Sequence, residues 1–264
     1  MNILHSTSSF IPLKPSSLLT PPSFYPKIHL RASHSSEFQV TLSNHARFSV
    51  CATAPSDQGT TSAFHFEDFV EKDWSFLDNE DTNTNAEHMQ KIDRIISAGN
   101  IEETSKVLVS IGSESFVDRL VESSPCQQLL IVHSSLLVLA CIKEKYDKVK
   151  CWQGELLDVS EKWTDFDVVF LYFLPALPYQ LDQVLAALAN RSLPGARLVI
   201  SHPQGRQVVE EQQQQYPDMV VSSLPDKTVL QKCAADHSFE VVEFMDEPGF
   251  YLAVLRLNAA ESNQ

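Results

Sequence analysis

Short apolar runs alternate with amphipathic stretches along the second half of the chain. Apolar side chains fill four of the five positions at 107–111, which predicts a short buried strand. Similar apolar runs, rich in β-branched and aromatic residues, follow at intervals and predict further strands. The predicted strands are 107–111, 128–133, 149–152, 167–174, 196–201, 239–245 and 250–257.

The segments between these runs predict how the strands are connected. Apolar residues at helical spacing predict a helix beginning at Ser115 and helices over 135–145, 179–190 and 204–216. Helical crossovers join parallel strands, whereas the short link 246–249 suits an antiparallel hairpin. We therefore predict an α/β fold: a Rossmann-like, doubly wound, mostly parallel seven-stranded sheet that ends in an antiparallel hairpin.

The turn after the first predicted strand is the place where a ligand is expected. Gly112 permits a sharp turn, and Ser115 with Asp118 three residues later predicts a capping box that opens a helix. In parallel α/β sheets the ligand lies over the carboxyl ends of the strands. Residues 110–115 are therefore expected to decide what binds.

The first 51 residues have the composition of a transit peptide. The first fifty contain fourteen Ser and Thr and five Pro, without the continuous apolar core of a secretory signal. Such a segment cannot bury a core, so we predict that residues 1–51 are disordered and direct the protein to the chloroplast stroma. The sequence around Cys51 resembles a stromal processing site, which would start the mature chain near Ala52. The alternative is a disordered tail without a targeting role.

Charge narrows the classes of partner. Residues 52–264 carry 16 basic and 33 acidic side chains, a net charge near −17. Non-specific binding to nucleic acid is therefore disfavoured, because phosphates need Lys and Arg partners. No apolar run approaches the roughly 20 residues of a membrane span. The expected partner is a small molecule or a stromal protein.

Cysteine spacing gives no indication of a metal centre. The chain has five cysteines and no CxxC pair, so neither a zinc site nor another metal is expected. Cys141 and Cys151 lie in apolar patterns typical of buried small side chains, with thioredoxin control as the alternative.

A connecting segment over residues 52–105 is predicted to contain two helices. Phe66, Phe69, Val70 and Trp74 recur at helical spacing, a polar break follows at 78–85, and a second helix covers 86–98 with Met89, Ile92, Ile95 and Ile96 on one face. Two interpretations remain open. The helices simply cover a sheet edge, or they form a lid over the ligand cleft.

The order of elements and one motif resemble class I S-adenosylmethionine-dependent methyltransferases. Asp167 leads the fourth strand, and Leu-Pro-Gly-Ala-Arg at 193–197 precedes the fifth, close to the family's Leu-x-Pro-Gly-Gly-x-Leu pattern. The terminal hairpin completes the likeness over residues 106–258, with 259–264 as a disordered tail. A dinucleotide-binding dehydrogenase is less consistent, because G-x-G-x-x-G is missing after the first strand.

The resemblance implies S-adenosylmethionine as cofactor, with no metal, and a set of contact residues at the strand ends. These are Gly112 and Ser113 in the glycine-rich loop, His133 and Ser134 at the position of the ribose-binding acid, Glu155 at the position of the adenine-binding acid, and Leu171 in the fourth strand. The chain departs from the family at most of them. In the loop only Gly112 survives. Glu114 would repel the cofactor carboxylate unless it turns away or meets the amino group of the cofactor, and His133 replaces a bidentate acceptor.

Each of these residues also has a purely structural interpretation. Gly112 is also explained as a turn residue, Ser113 as a helix cap and His133 as a polar residue at the sheet rim. Tyr172 and Pro175 lie where such enzymes place target-binding residues, although Tyr172 is equally explained as a core residue. His202 is on the same rim, either as a base or as the end of its strand. No catalytic residue is assigned.

Two functions from different classes follow. The first is a stromal methyltransferase that uses S-adenosylmethionine on an unknown acceptor. The second is a methyltransferase-like protein that has lost or weakened cofactor binding and serves as a stromal interaction or assembly factor. The fold supports both, because a fold does not determine function.

Overall fold

The computed structural model describes residues 29–32, 37–41, 47–51, 71–77 and 85–259. The chain divides into two compact units, Met1–Ser62 and Ala63–Gln264. In the first unit three antiparallel strands follow one another: β1 (His29–Ala32), β2 (Glu37–Thr41) and β3 (Arg47–Cys51).

The three strands of the first unit lie within residues 1–51, which their composition predicts to be disordered. Polar and apolar residues alternate along β2 and β3, which is the sequence pattern of a strand. The prediction of disorder instead follows the Ser, Thr and Pro content of the whole segment. Removal of residues 1–51 as a transit peptide stays a prediction.

In the second unit, helices and strands alternate through most of residues 85–257. The first half contains α1 (Asn85–Gly99), β4 (Lys106–Ser110), α2 (Glu114–Ser123), β5 (Gln128–His133), α3 (Leu136–Lys145) and β6 (Lys150–Gln153). The second half contains β7 (Phe166–Leu171), α4 (Leu181–Ala189), β8 (Ser192–His202), α5 (Gly205–Gln215), α6 (Lys227–Asp236), β9 (Phe239–Glu247) and β10 (Phe250–Leu257).

The seven strands of this unit form one mixed sheet in the order β6-β5-β4-β7-β8-β10-β9. Strands β4 to β8 are parallel, and β10 pairs antiparallel with both β8 and β9. The predicted parallel sheet with a terminal antiparallel hairpin is therefore confirmed. Because the first half is wound outward from β4, the carboxyl ends of β4 and β7 meet at the switch point of the sheet.

The core lies on both faces of the central strands. Residues 168–171 of β7 and 250–255 of β10 are buried throughout, as expected for strands covered on both sides. Helix α1 buries Ile92, Ile95 and Ile96, the face predicted from its spacing. Among the described residues, no helix has the length and apolar character needed to cross a membrane.

Several predicted boundaries differ from the structure. Helix α6 was missed, although Asp226 caps it by accepting from the Val229 backbone amide and Leu230 and Ala234 are buried four residues apart. β7 ends at Leu171, because the next residues enter a 3-10 turn, Leu174–Ala176, that contains a proline.

The helix predicted around Trp74 is not observed in residues 71–74, the part of it that the structure describes. Residues 71–74 have no helical structure and lead into a short 3-10 turn, Ser75–Leu77. The remaining positions of that predicted helix, the polar break at 78–84 and the last five residues lie outside the described residues.

Candidate cofactor site

The six predicted contact residues lie at the carboxyl ends of four neighbouring strands. Gly112 and Ser113 follow β4, His133 ends β5 with Ser134 after it, Glu155 follows β6, and Leu171 ends β7. The sequence therefore placed them at one edge of the sheet, and the structure brings them together there. Their role as ligand contacts stays a prediction that depends on local geometry.

The loop between β4 and α2 is closed by its own side chains. The Phe116 backbone amide donates to Ser113 Oγ over 3.2 Å, so Ser113 is the N-cap of α2. Ser113 Oγ also lies 3.0 Å from Ser115 Oγ in the first turn. The predicted capping box at Ser115 and Asp118 is therefore wrong, because the helix begins earlier, at Glu114.

Gly112 is required by packing within the loop. A Cβ atom at this position would lie 2.7 Å from Val109 Cγ1 and 3.5 Å from Val117 Cγ2, so a side chain would collide with the strand below. The sharp turn predicted at Gly112 has its left-handed residue one position earlier, at Ile111, with φ of 53°. Gly112 is thus explained by the fold without a ligand.

Glu114 is directed away from this loop. Its carboxylate lies 3.3 Å from Lys145 Nζ at the end of α3, and Asp118 lies 2.9 Å from the same ammonium. Hydrogen bonds with Asp118 and then Glu114 raise the pKa of Lys145. Of the two arrangements considered from sequence, the carboxylate adopts the one that turns away.

His133 is a buried neutral imidazole at the end of β5. The Ser135 backbone amide donates to His133 Nδ1 over 2.9 Å, which leaves the proton on Nε2. Burial lowers the pKa of His133 to about 4, so the ring is uncharged at pH 7. Its Nε2 is buried and has no hydrogen-bond partner among the described residues.

Residues 71–77, which we call the 71–77 segment, cover this histidine. The indole of Trp74 meets the His133 ring edge-on, with ring centroids 4.8 Å apart. Phe76 stacks on Tyr216 at 4.6 Å and meets Phe173 edge-on at 5.8 Å. Trp74 and Phe76 are both buried, and His133 has no exposed surface beneath them.

Two charged residues of the same segment reach the neighbouring loops. Glu71 Oε1 accepts from Ser135 Oγ and from the Leu137 backbone amide, so a carboxylate occupies the N-terminus of α3. Lys72 donates to the Asp218 carbonyl over 3.0 Å. Burial raises the pKa of Glu155, and the positive charge of Lys72 opposes that shift. The segment thus interacts with the loops after both β5 and β6.

Neither a protein-family model nor a curated protein sequence matches the chain. Solved structures are similar to it. One is a chain from the complex of the Haloferax volcanii Trm112 methyltransferase activator, with a TM-score of 0.56 and 13% identity over 68% of this chain and 94% of that one. Another is an S-adenosylmethionine-dependent methyltransferase from Mesorhizobium loti, at 0.52 and 11% over 68% and 99%. The N-methyltransferase NodS from Bradyrhizobium japonicum gives 0.50 and 12% over 67% and 99%.

The fold is that of class I S-adenosylmethionine-dependent methyltransferases. Sequence identities this low establish the methyltransferase fold and leave the activity open. The question for the site is therefore whether the residues present fit the cofactor that the fold suggests.

In this conformation the site does not fit S-adenosylmethionine. Where the methyltransferase family places an acid for the ribose hydroxyls, this chain has a neutral imidazole buried under Trp74. The space beside Gly112 is filled by Val109, Ser113 is the N-cap of α2, and Leu171 is fully buried in the core. Of the six predicted residues, Ser134 and Glu155 are the half-buried ones.

The acceptor side of the methyltransferase fold is equally closed. Tyr172 is buried and packs on Phe116 with ring centroids 4.4 Å apart. Burial lowers the pKa of His202 to about 4, although hydrogen bonds with the Gly205 backbone and Gln212 oppose the shift. Both residues therefore belong to the core in this structure.

Sequence reasoning missed the residues that close the site. The sequence predicts Glu71, Lys72 and Trp74 as part of a helix that covers an edge or forms a lid, and it does not single out Phe76. In the sequence these residues belong to an aromatic and charged stretch ahead of the first parallel strand. Such a stretch predicts that the segment packs on the protein, but it does not identify the surface that the segment covers.

Proposed function

We propose that this chain is a chloroplast stromal protein with a methyltransferase fold that acts by binding a protein partner and not by methyl transfer. The observation that carries the proposal is the 71–77 segment, which lies over the strand ends where the nucleoside of the cofactor would bind. Its residues satisfy the N-terminus of α3, cover His133 and place a cation near Glu155.

The energetics favour the closed cleft. Removing a buried Trp side chain from a core costs about 3–5 kcal/mol, and each 1.4 kcal/mol changes an affinity tenfold. A ligand that had to displace Trp74 would lose roughly a hundredfold to several thousandfold in affinity. A cofactor of micromolar intrinsic affinity would then bind at about millimolar concentration.

Titration calorimetry of the full chain with S-adenosylmethionine and S-adenosylhomocysteine tests this proposal. We expect no heat at high micromolar ligand and an unchanged melting temperature. The Trp74→Ala variant is the matched comparison, because it opens the space above His133 while the loop after β4 stays intact. Micromolar binding by the unaltered chain would overturn the proposal.

A second function is favoured by two buried polar atoms. Ser110 Oγ and His133 Nε2 are both buried at this edge without a hydrogen-bond partner among the described residues. Buried polar groups are usually satisfied, and a ligand would supply the missing bonds. The corresponding function is an S-adenosylmethionine-dependent methyltransferase whose 71–77 segment withdraws, with a small molecule or a protein as acceptor. Binding in the same titration, followed by methyl transfer to stromal extract, would support it.

Location in the stroma is tested separately. We propose that residues 1–51 direct the protein there and are removed near Ala52. A fusion of residues 1–51 to a fluorescent protein should enter chloroplasts and lose the segment, as N-terminal sequencing of the imported product would show. Fluorescence that stays in the cytosol would exclude this role.

The charge of the mature chain indicates which partner to seek. A net charge near −17 over residues 52–264 favours a basic partner surface and an association that weakens with salt. Affinity purification from stroma at low and high salt would reveal such a partner. Capture of partners that is insensitive to salt would argue against an electrostatic interface.

A further inference from the structure

Three potential metal ligands meet where α4 and α6 pack together, away from the carboxyl edge of the sheet. Asp182 lies in the first turn of α4, Cys233 lies on α6, and His237 caps the end of α6. His237 Nε2 is 2.7 Å from Asp182 Oδ1. One ligand atom from each of the three residues lies within 4.8 Å of the other two.

The helices present these ligands on a fixed framework. Cys233 and His237 are four residues apart, so they lie on the same side of α6 and one turn apart. Leu230 and Ala234 lie on the same side of α6 and are buried, and α4 packs against the helix. The ligand atoms therefore need only side-chain rotation to converge, since the two backbones are already held by the core.

The ligand types select the metal. A thiolate, an imidazole and a carboxylate suit zinc, whereas magnesium and calcium prefer oxygen ligands alone. With metal–ligand bonds of about 2.0–2.3 Å, ligand atoms around a tetrahedral zinc ion lie roughly 3.3–3.7 Å apart. The three ligand atoms lie within 4.8 Å of one another, so small side-chain rotations would bring them to that spacing, and Asp182 is exposed, which leaves room for the fourth ligand.

The surroundings of the thiol are negative. The carboxylates of Asp182 and Asp236 lie near the Cys233 thiol. A divalent cation would compensate these carboxylates and stabilise the thiolate, with the thiol proton released to solvent.

We propose that Asp182, Cys233 and His237 bind a zinc ion that ties α4 to α6, with water as the fourth ligand. The absence of a CxxC pair in the sequence predicts no metal site. That spacing is not required when the ligands come from two helices. The proposal is independent of cofactor binding, because these residues are not at the carboxyl edge of the sheet.

Cobalt substitution of the reduced full chain tests the site. Titration with Co²⁺ should produce a thiolate-to-cobalt charge-transfer band that saturates at one equivalent, and Zn²⁺ should displace it. Cys233→Ser should abolish the band, and Asp182→Asn should weaken Co²⁺ binding roughly tenfold or more. Cys126→Ser is the matched control, because Cys126 is another half-buried free cysteine and lies outside both helices.

Two results would overturn the proposal. One is a folded full chain that gives no charge-transfer band. The other is a band that survives Cys233→Ser or is lost equally in Cys126→Ser, since both would place the metal elsewhere. Circular dichroism of each variant ensures that a lost band is not a lost fold.

Discussion

The two neighbouring units β4–α2 and β5–α3 are built from the same local pattern but completed in different ways. Each has a buried strand, a tight turn and a serine N-cap: Ser113 accepts from the Phe116 amide over 3.2 Å, and Ser135 from the Val138 amide over 3.0 Å. In the family that shares this fold, both turns contact the cofactor. Their difference therefore bears directly on whether a ligand binds.

The first turn is packed and capped by its own residues, whereas the second also uses residues of the 71–77 segment. Gly112 packs on Val109 in β4, and the serines of the loop bond to each other. At the second turn, Glu71 accepts a hydrogen bond from Ser135 Oγ and Trp74 covers His133. Glu71 lies 64 residues before Ser135. We therefore expect ligand access to depend on β5–α3, through a segment that is distant in sequence.

Replacing Trp74 with alanine should produce the largest difference between the two units. Loss of the buried indole is expected to lower the free energy of unfolding by about 3–5 kcal/mol. Hydrogen exchange should rise more in β5 and α3 than in β4 and α2, because only β5 and α3 lose the indole that covers them. Urea unfolding and exchange mass spectrometry measure the two quantities.

Trp163 provides the control for Trp74. It is half-buried and lies outside both turns, so Trp163→Ala should cost less and should leave the exchange of β5–α3 unchanged. Equal destabilisation by the two substitutions, or uniform exchange across both units, would contradict the dependence of β5–α3 on the 71–77 segment.

Acidification should weaken the β5–α3 unit through His133. The folded pKa of about 4 lies below the ordinary value of 6.5, so the unfolded chain binds the proton more readily. Stability is therefore complete above pH 6.5 and falls as the pH drops towards 4, by about 3 kcal/mol for this group. Urea unfolding at several pH values measures the loss.

The pH effect must be assigned to His133, because His202 is buried with a similarly lowered pKa. His133→Asn should flatten the profile between pH 6.5 and 4, and His202→Asn should remove a separate part of it. An imidazole that titrates near pH 6.5 in the folded protein by NMR would show that Trp74 does not exclude water from His133.

Gly112→Ala tests whether the β4–α2 turn is limited by packing. The added methyl would lie 2.7 Å from Val109 Cγ1, so we expect a loss of about 1–3 kcal/mol in the free energy of unfolding. Val109→Ala removes that atom. In a double-mutant cycle the two substitutions should couple by at least about 0.5 kcal/mol, and strict additivity would contradict the packing explanation.

Periodicity and turn residues predicted most of the fold. The seven strands of the second unit and the apolar face of α1 were all found, since each is encoded by neighbouring residues. Helix α6 was missed because its buried positions, Leu230 and Ala234, are separated by polar and charged residues and its cap at Asp226 was not recognised.

The candidate site was predicted in position but not in chemistry. Parallel strands place Gly112, His133 and Glu155 at one edge whatever their role, so a sequence pattern is enough to group them. The contact of Trp74 with His133 joins segments 59 residues apart and follows no local period. Such long-range packing is set by the tertiary structure, which is why the lid and the edge cover could not be distinguished beforehand.

Glu114→Gln should have the smallest effect. The Glu114–Lys145 pair is partly exposed, and Asp118 stays 2.9 Å from the ammonium, so the loss should be below about 1 kcal/mol and should shrink in high salt. Because the carboxylate is directed to Lys145, the variant should also bind S-adenosylmethionine no better than the unaltered chain. Urea unfolding at two salt concentrations and calorimetry measure both quantities. Binding gained by Glu114→Gln alone would mean that β4–α2, and not the 71–77 segment, controls access.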